Sequence, residues 1–328
     1  MKKEDVIDGF STPPELTRRG ALRLLGAALA TAPLANMFGC RPLVGNEGEP
    51  NDQECGELRK WSRSDAGVGC EDGSDAGAVQ GWASGGTAAM TALASYPNPF
   101  NAPVDTTCTP TCEMMLGPCH DQQAPEREDI SEGQTGLPIR FGLRFLDDKC
   151  EPVVDADVDI WHCDVRGIYS SATNDTPSFC TGDEPEALAA RYFRGHRKTD
   201  KNGVVWFNTC FPGWYNGRAI HIHYTVRRPS RSGEEWLTSQ IGFPMDLTVE
   251  LCGSHPDYVA HGQPNTTIEA DPIIPNEEIY LADTARMKDG ALLATKTFIL
   301  RSSLSTTLCA EGPLGLPPGF PGSPAGGG

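Results

Sequence analysis

The segment Pro212–Tyr224, PGWYNGRAIHIHY, gathers a tyrosine, an arginine and two histidines within a short stretch of chain. In an extended strand, residues two apart share a face, so His221 and His223 point the same way while Ile220, Ile222 and Tyr224 point the other. Two neutral imidazoles side by side on a rigid strand are a natural pair of metal ligands. On its own an H-x-H pattern is short and common, and an exposed edge-strand pair accounts for it equally well. Tyr215 follows a Pro212-Gly213 turn that can bring its phenol back over the strand end. A phenol ionises near pH 10 in water, so it ligates well only to a strongly Lewis-acidic ion, which points to ferric iron rather than zinc.

The elements that would position these groups read as strands. LPIRFGLRFLDD alternates Ile139, Phe141, Leu143 and Phe145 on one face. VVDADVDIWHCD alternates Val154, Ala156, Val158 and Ile160 against three aspartates. TDKNGVVWFNT starts at a Lys201-Asn202-Gly203 turn, and RAIHIHYTVRR alternates again. Period-two patterns broken by Gly, Asn, Asp and Pro predict an all-β protein, an antiparallel β-sandwich with long loops, over residues 106–310. Trp161 is expected in its core and His162 in a structural or pocket-lining place. Helical signals are confined to 184–195 and a short stretch near 277–288.

Outside that domain the composition changes. Residues 1–40 carry paired arginines, Arg18 and Arg19, before a short apolar run with no acidic residue up to Cys40. This predicts a twin-arginine export signal, with Cys40 a candidate lipidation site and membrane tether. The run is interrupted by Arg23 and is too short and rich in Ala and Gly for a membrane span. Export would place the protein in the periplasm, on the cell surface as a lipoprotein, or outside the cell. Residues 41–105 are rich in Gly, Ala, Ser and Asp and read as an unstructured tether with a candidate Cys55–Cys70 loop; 311–328 read as an unstructured Pro/Gly tail. A net charge of −17 excludes the basic footprint of a nucleic-acid binder. Twelve cysteines fit disulfides in an oxidising compartment, and Cys108-x3-Cys112 lacks the second half of a zinc site.

Several ordered segments resemble one family. GPCH (117–120), CEPVVDADVDIWHCDVRGIYS (150–170), RGHRKTDKNGVVWFNT (194–209), PGWYNGRAIHIHYTV (212–226) and TSQIGF (238–243) are similar, in order and spacing, to the intradiol ring-cleavage dioxygenases, the family of the protocatechuate and catechol dioxygenases. The likeness is greatest to an exported, twin-arginine branch. It implies a non-haem Fe(III) held by Tyr169, Tyr215, His221 and His223, with Trp161 and Tyr169 keeping the family's spacing. It implies catalytic roles for Tyr215 as a displaceable ligand, for Arg218 as the cation near developing charge, and for Gln240 close to the reacting ring. The implied reaction inserts both atoms of O2 into a small aromatic diol of the catechol type, between the hydroxyl-bearing carbons, giving a muconate-type dicarboxylic acid. Two departures stand out: the Tyr215-to-His221 interval is shorter than in protocatechuate dioxygenases, and Cys119 replaces an aromatic of the family's GP segment. The competing readings are a non-catalytic secreted β-sandwich binding module that keeps the motif, and a zinc or copper hydrolase built on the H-x-H, which would need a further His, Glu or Cys ligand.

Overall fold

The computed structural model describes residues 81–104, 107–173, 176–228 and 234–305. The export signal, Cys40, the Cys55–Cys70 loop and the C-terminal tail lie outside these residues.

Among the described residues, eight strands form two four-stranded sheets packed face to face. In chain order they are β1 (Pro138–Asp147), β2 (Asp157–Trp161), β3 (Arg194–Lys198), β4 (Val204–Cys210), β5 (His221–Arg228), β6 (Glu234–Gly242), β7 (Asp283–Arg286) and β8 (Leu292–Leu300). One sheet runs β4-β1-β8-β7 and the other β3-β2-β5-β6. The alternating apolar faces meet between them. Ile139, Phe141, Leu143 and Phe145 of β1, Val158 and Ile160 of β2, and Ile222, Tyr224 and Val226 of β5 are all fully buried in one core. The sandwich is therefore as the alternation predicts, with one exception: β1 and β8 pair in parallel, Ile139 opposite Leu292 through Asp147 opposite Leu300.

Local chemistry explains the turns. Before β4, Asp200 Oδ1 accepts from the amides of Asn202 and Val204, and Gly203 takes a φ of 72° there. The helix expected over 184–195 shortens to α2 (Pro185–Ala189), because Phe193 adopts a φ of 55° and Arg194 already begins β3. Before it lies α1 (Pro177–Thr181). The helix expected near 277–288 is a single 3₁₀ turn, Glu278–Tyr280, followed by β7. The longest helix among the described residues, α3 (Met245–Ser254), carries no helical signal in the sequence reading; Leu247, Leu251 and Cys252 anchor it to the core. Val154, expected on the buried face, is 47% exposed, since β2 starts only at Asp157.

Residues 81–104, read from composition as part of the tether, lie on the domain instead. Trp82 Nε1 donates to Glu250, Ala83 N to Gly290 O, Thr87 Oγ1 to Asp129, and Tyr96 Oη to Asp289. Two aromatic anchors in a Gly/Ala-rich stretch were the overlooked signal.

A strap over 111–121 covers the outer face of the β3-β2-β5-β6 sheet. Met114 N donates to Thr238 O, and Thr111 N to Ile299 O. Disulfides Cys108–Cys150 and Cys119–Cys180 hold it, and Cys112 is disulfide-bonded as well. Cys163, Cys210 and Cys252 are free and buried. Among the described residues the cysteines therefore divide between strap staples and core thiols. Cys119–Cys180 spans 61 residues, so replacing both by serine should lower unfolding free energy by about 2–4 kcal/mol through restored freedom of the unfolded chain. Denaturant titration checks this; an unchanged midpoint and slope would contradict it.

Candidate metal centre

His221 and His223 stand at the start of β5 with their side chains away from the core, as the alternation requires. Pairing places Trp161 of β2 and Gln240 of β6 on either side of His223. Directly opposed residues share a face, so Trp161, His223 and Gln240 form one row across three strands. Trp161 is buried, as expected, in a hydrophobic cluster on this face of the sheet, apart from the core between the two sheets. Its ring stacks on His223 with centroids 4.9 Å apart and an 11° interplanar angle. Trp161 is two residues from Asp159 and shares its side of β2, the face opposite Ile160 that the alternation gives it.

Tyr215 returns over the strand end, with its Oη 3.2 Å from His221 Nε2. His221 Nε2 lies 3.1 Å from His223 Nε2. Tyr169 arrives from the loop after β2; its ring centroid is 5.8 Å from that of Tyr215 and 6.3 Å from that of His223. All four are buried or nearly so, and Tyr169, Trp161, Cys163 and the Cys119–Cys180 disulfide form one cluster against which Leu116 and Tyr215 pack. The cysteine in place of the family's aromatic thus becomes half of a wall beside Tyr169. Tyr169 N donates to Cys180 O, tying the phenol's backbone to that wall. Close backbone approaches complete the shape. A Cβ on Gly117 (φ 77°) would stand 3.1 Å from His223 Cε1, and one on Gly167 would meet Trp214 O at 2.1 Å.

The donor set fits a strongly acidic ion. Two atoms each about 2.1 Å from one metal sit roughly 3 Å apart, which the Nε2–Nε2 and Oη–Nε2 separations match. Ala219 O can only accept, so His221 Nδ1, 2.6 Å away, carries the proton and Nε2 offers its lone pair. Burial keeps both imidazoles neutral: His221 is lowered to about 3 by desolvation and then by the Arg218 charge, and His223 is lowered well below its usual value for the same reason, helped by His221. Burial likewise pushes the Tyr169 phenol well above its ordinary range, with Tyr215 and Cys163 adding to it. It also raises Tyr215, against the pull of Arg218. Two phenols this reluctant to ionise become ligands only to an ion that stabilises phenolate strongly. Tyr169 Oη is buried beside the Tyr215 phenol, close enough for each to shift the other's ionisation. Among the described residues no cluster of three or more His, Cys, Asp or Glu side chains could hold a metal, so a site here depends on the tyrosines.

Arg218 is beside this group, and its partners were not legible beforehand. Its Nε donates to Asp271 Oδ2 at 3.0 Å and its Nη2 to Gln240 Oε1 at 2.5 Å. Gln240 Nε2 donates to Met115 O of the strap, so both ends of the amide are engaged within the protein. Burial alone would raise the Asp271 carboxyl, but the Arg218 charge and hydrogen bonds from Arg218, Ile274 and Ala219 outweigh it and hold it below the usual carboxylate range. Asp271 lies in a loop far along the chain, and no local spacing marks it. His162 is structural: fully buried, with Nε2 2.7 Å from Thr209 Oγ1, Nδ1 2.8 Å from Cys163 O, and its ring against Phe193.

The fold around this site is shared with solved enzymes. The chain is similar to an intradiol ring-cleavage dioxygenase from Tetranychus urticae, at 24% identity over 61% of this chain and 98% of that one, with a TM-score of 0.51. It is also similar to a second solved dioxygenase at 26% identity over the same shares, with a TM-score of 0.52. No family model matches the chain, and neither does any curated protein. The architecture is that of the intradiol ring-cleavage dioxygenases, as the sequence motifs imply.

His162 supplies a pH test of this packing. Desolvation lowers it to about 3 in the fold, whereas the unfolded chain protonates it near 6.5. Its neutral burial costs nothing above about pH 6.5. Stability is lost as pH falls from there toward 3, by at most about 1.4 kcal/mol per pH unit. His162→Gln should make that acid slope shallower by about one proton. Unfolding titrations between pH 7 and 4 check it; parallel slopes for the two proteins would contradict it.

Proposed function

We propose that this chain is a non-haem ferric dioxygenase that cleaves a catechol-type aromatic diol between its two hydroxyl-bearing carbons. Both atoms of O2 enter the product, a muconate-type dicarboxylic acid. The observation that carries the reading is the convergence of two phenols and two imidazoles, with Tyr215 Oη, His221 Nε2 and His223 Nε2 about one coordination edge apart. The likeness of fold to an intradiol ring-cleavage dioxygenase supports it.

Tyr169, Tyr215, His221 and His223 would hold Fe(III), whose Lewis acidity draws electron density from a bound diol and opens its ring carbons to O2. The remaining work falls to the protein. His221, fixed in one tautomer by Ala219 O, and His223, backed by Trp161, present neutral nitrogens from a rigid strand. Tyr169 is held by its backbone bond to Cys180. Tyr215 sits on a loop rather than a strand, and its phenolate oxygen is suited to accept a proton from the incoming diol. Arg218 offers a fixed cation to negative charge developing on the ring, a contribution worth on the order of 10²–10³ in rate for such a group. Trp161, Leu116 and the Cys119–Cys180 disulfide keep water from the cluster and so strengthen these electrostatic effects.

We propose also that the protein works outside the cytoplasm. The twin-arginine segment and the disulfides Cys108–Cys150 and Cys119–Cys180 support this.

Phenolate bound to Fe(III) absorbs visible light by charge transfer. The purified iron-loaded protein should therefore be burgundy, and Tyr169→Phe and Tyr215→Phe should each weaken or shift the band. Tyr215→Phe should also slow diol cleavage. A colourless protein carrying one iron, or a band indifferent to both substitutions, would refute the ligand set.

A further inference from the structure

We propose that Asp271 is a positioning residue that fixes which edge of the Arg218 guanidinium is free to meet substrate; this rests on the dioxygenase reading above. The Arg218–Asp271 pair is withdrawn from water, the two side chains being 8% and 0% exposed. A guanidinium on a flexible stem has many rotamers, and holding one needs an anchor that is itself held. Asp271 meets that condition. Its Oδ2 accepts the Ala219 amide at 2.7 Å, and its Oδ1 accepts those of Ile273 and Ile274 at 2.9 Å each. The carboxylate is thus set by three backbone amides, independent of Arg218.

Against that fixed carboxylate, Arg218 spends Nε on Oδ2 and Nη2 on Gln240 Oε1, with a longer reach from Nη2 to Oδ1 at 3.3 Å. Gln240 is held in turn by Met115 O. Nη1 makes no hydrogen bond to the described residues and is not among their buried unsatisfied atoms. The relay Asp271–Arg218–Gln240–Met115 therefore commits two guanidinium nitrogens and leaves the third. Gln240 joins Arg218 to the strap, and those two bonds use one lone pair of its carbonyl oxygen and one of its two amide protons. Asp271 also ties the loop at 271–274 to Ala219, two residues before His221. The test must therefore separate guanidinium positioning from general support of the strand.

The experiment compares wild type, Asp271→Asn, Asp271→Glu, Arg218→Lys and the Asp271→Asn/Arg218→Lys double variant. Measured for each are iron content, the visible charge-transfer band, kcat and KM on catechol, and the ¹⁵N-detected Arg218 Nε–H resonance of the iron-free protein, assigned by its loss in Arg218→Lys. Asp271→Asn should keep iron and the band, lower kcat about 10- to 100-fold, as expected for a displaced catalytic group, and lose the slowly exchanging Nε–H signal. The double variant should be no slower than Arg218→Lys alone, since the two residues act as one unit. A wild-type kcat in Asp271→Asn, an intact Nε–H signal, or additive losses in the double variant would overturn the proposal. If Asp271→Asn does not fold, Asp271→Glu decides: a fall in kcat with iron and band retained supports positioning, while wild-type kcat or loss of iron overturns it. A wild-type protein that binds iron without the band, or cleaves no diol, instead fails the dioxygenase reading, whatever the state of the Nε–H signal.

Discussion

Burying two phenols and two imidazoles against one another is the constraint on which the site's surroundings depend. Buried polar groups lacking partners cost free energy. His223 Nδ1 is buried with no hydrogen-bond partner among the described residues, and Tyr169 Oη is buried beside the Tyr215 phenol. Such an arrangement persists only if the surroundings over-determine it. Three strands do so from behind: Trp161 and Gln240 flank His223 through the β2-β5-β6 register. The Cys119–Cys180 disulfide does so from the side of Tyr169.

The strap is what turns a sheet face into a site. The outer face of an antiparallel sheet commonly meets solvent and is polar for that reason. Here Asp157 and Asp159 of β2 are polar yet buried, and each has a basic partner: His196 at 3.0 Å for Asp157, and Arg227 at 2.5 Å for Asp159. The same face carries His221, His223, Thr225 and Gln240. Residues 111–121 close over it, anchored by Met114 to β6, by Gln240 to Met115, and by cystines. Gly117 lies where a side chain would strike His223. Polar residues that a solvent-facing strand would need anyway have become the buried lining beneath the strap.

How much of this was legible depended on range. The alternation of Ile139, Phe141, Leu143 and Phe145 specified β1 and its buried face without ambiguity. The spacing of His221 and His223 put two imidazoles on one side of β5, and the family motif supplied Tyr169 and Tyr215; the fold brings all four together. Long-range partners left no trace. Asp271 and Met115 meet Arg218 and Gln240 across stretches of chain that no periodicity connects. Trp161 is buried as its size and position lead one to expect, on the face opposite Ile160 that alternation assigns it, in a cluster separate from the core between the sheets. The helix expected over 184–195 failed because Phe193 turns the backbone left-handed to start β3, so tertiary pairing overrode helical spacing.

Resonance Raman spectroscopy of the protein loaded with one equivalent of Fe(III), excited within its visible absorption, tests the central claim most directly. Tyrosinate ring vibrations should be strongly enhanced, with part of that enhancement lost in each single Tyr→Phe variant at positions 169 and 215. One bound iron with no tyrosinate enhancement would show that the phenols do not share the ion with the imidazoles, and the account would fall.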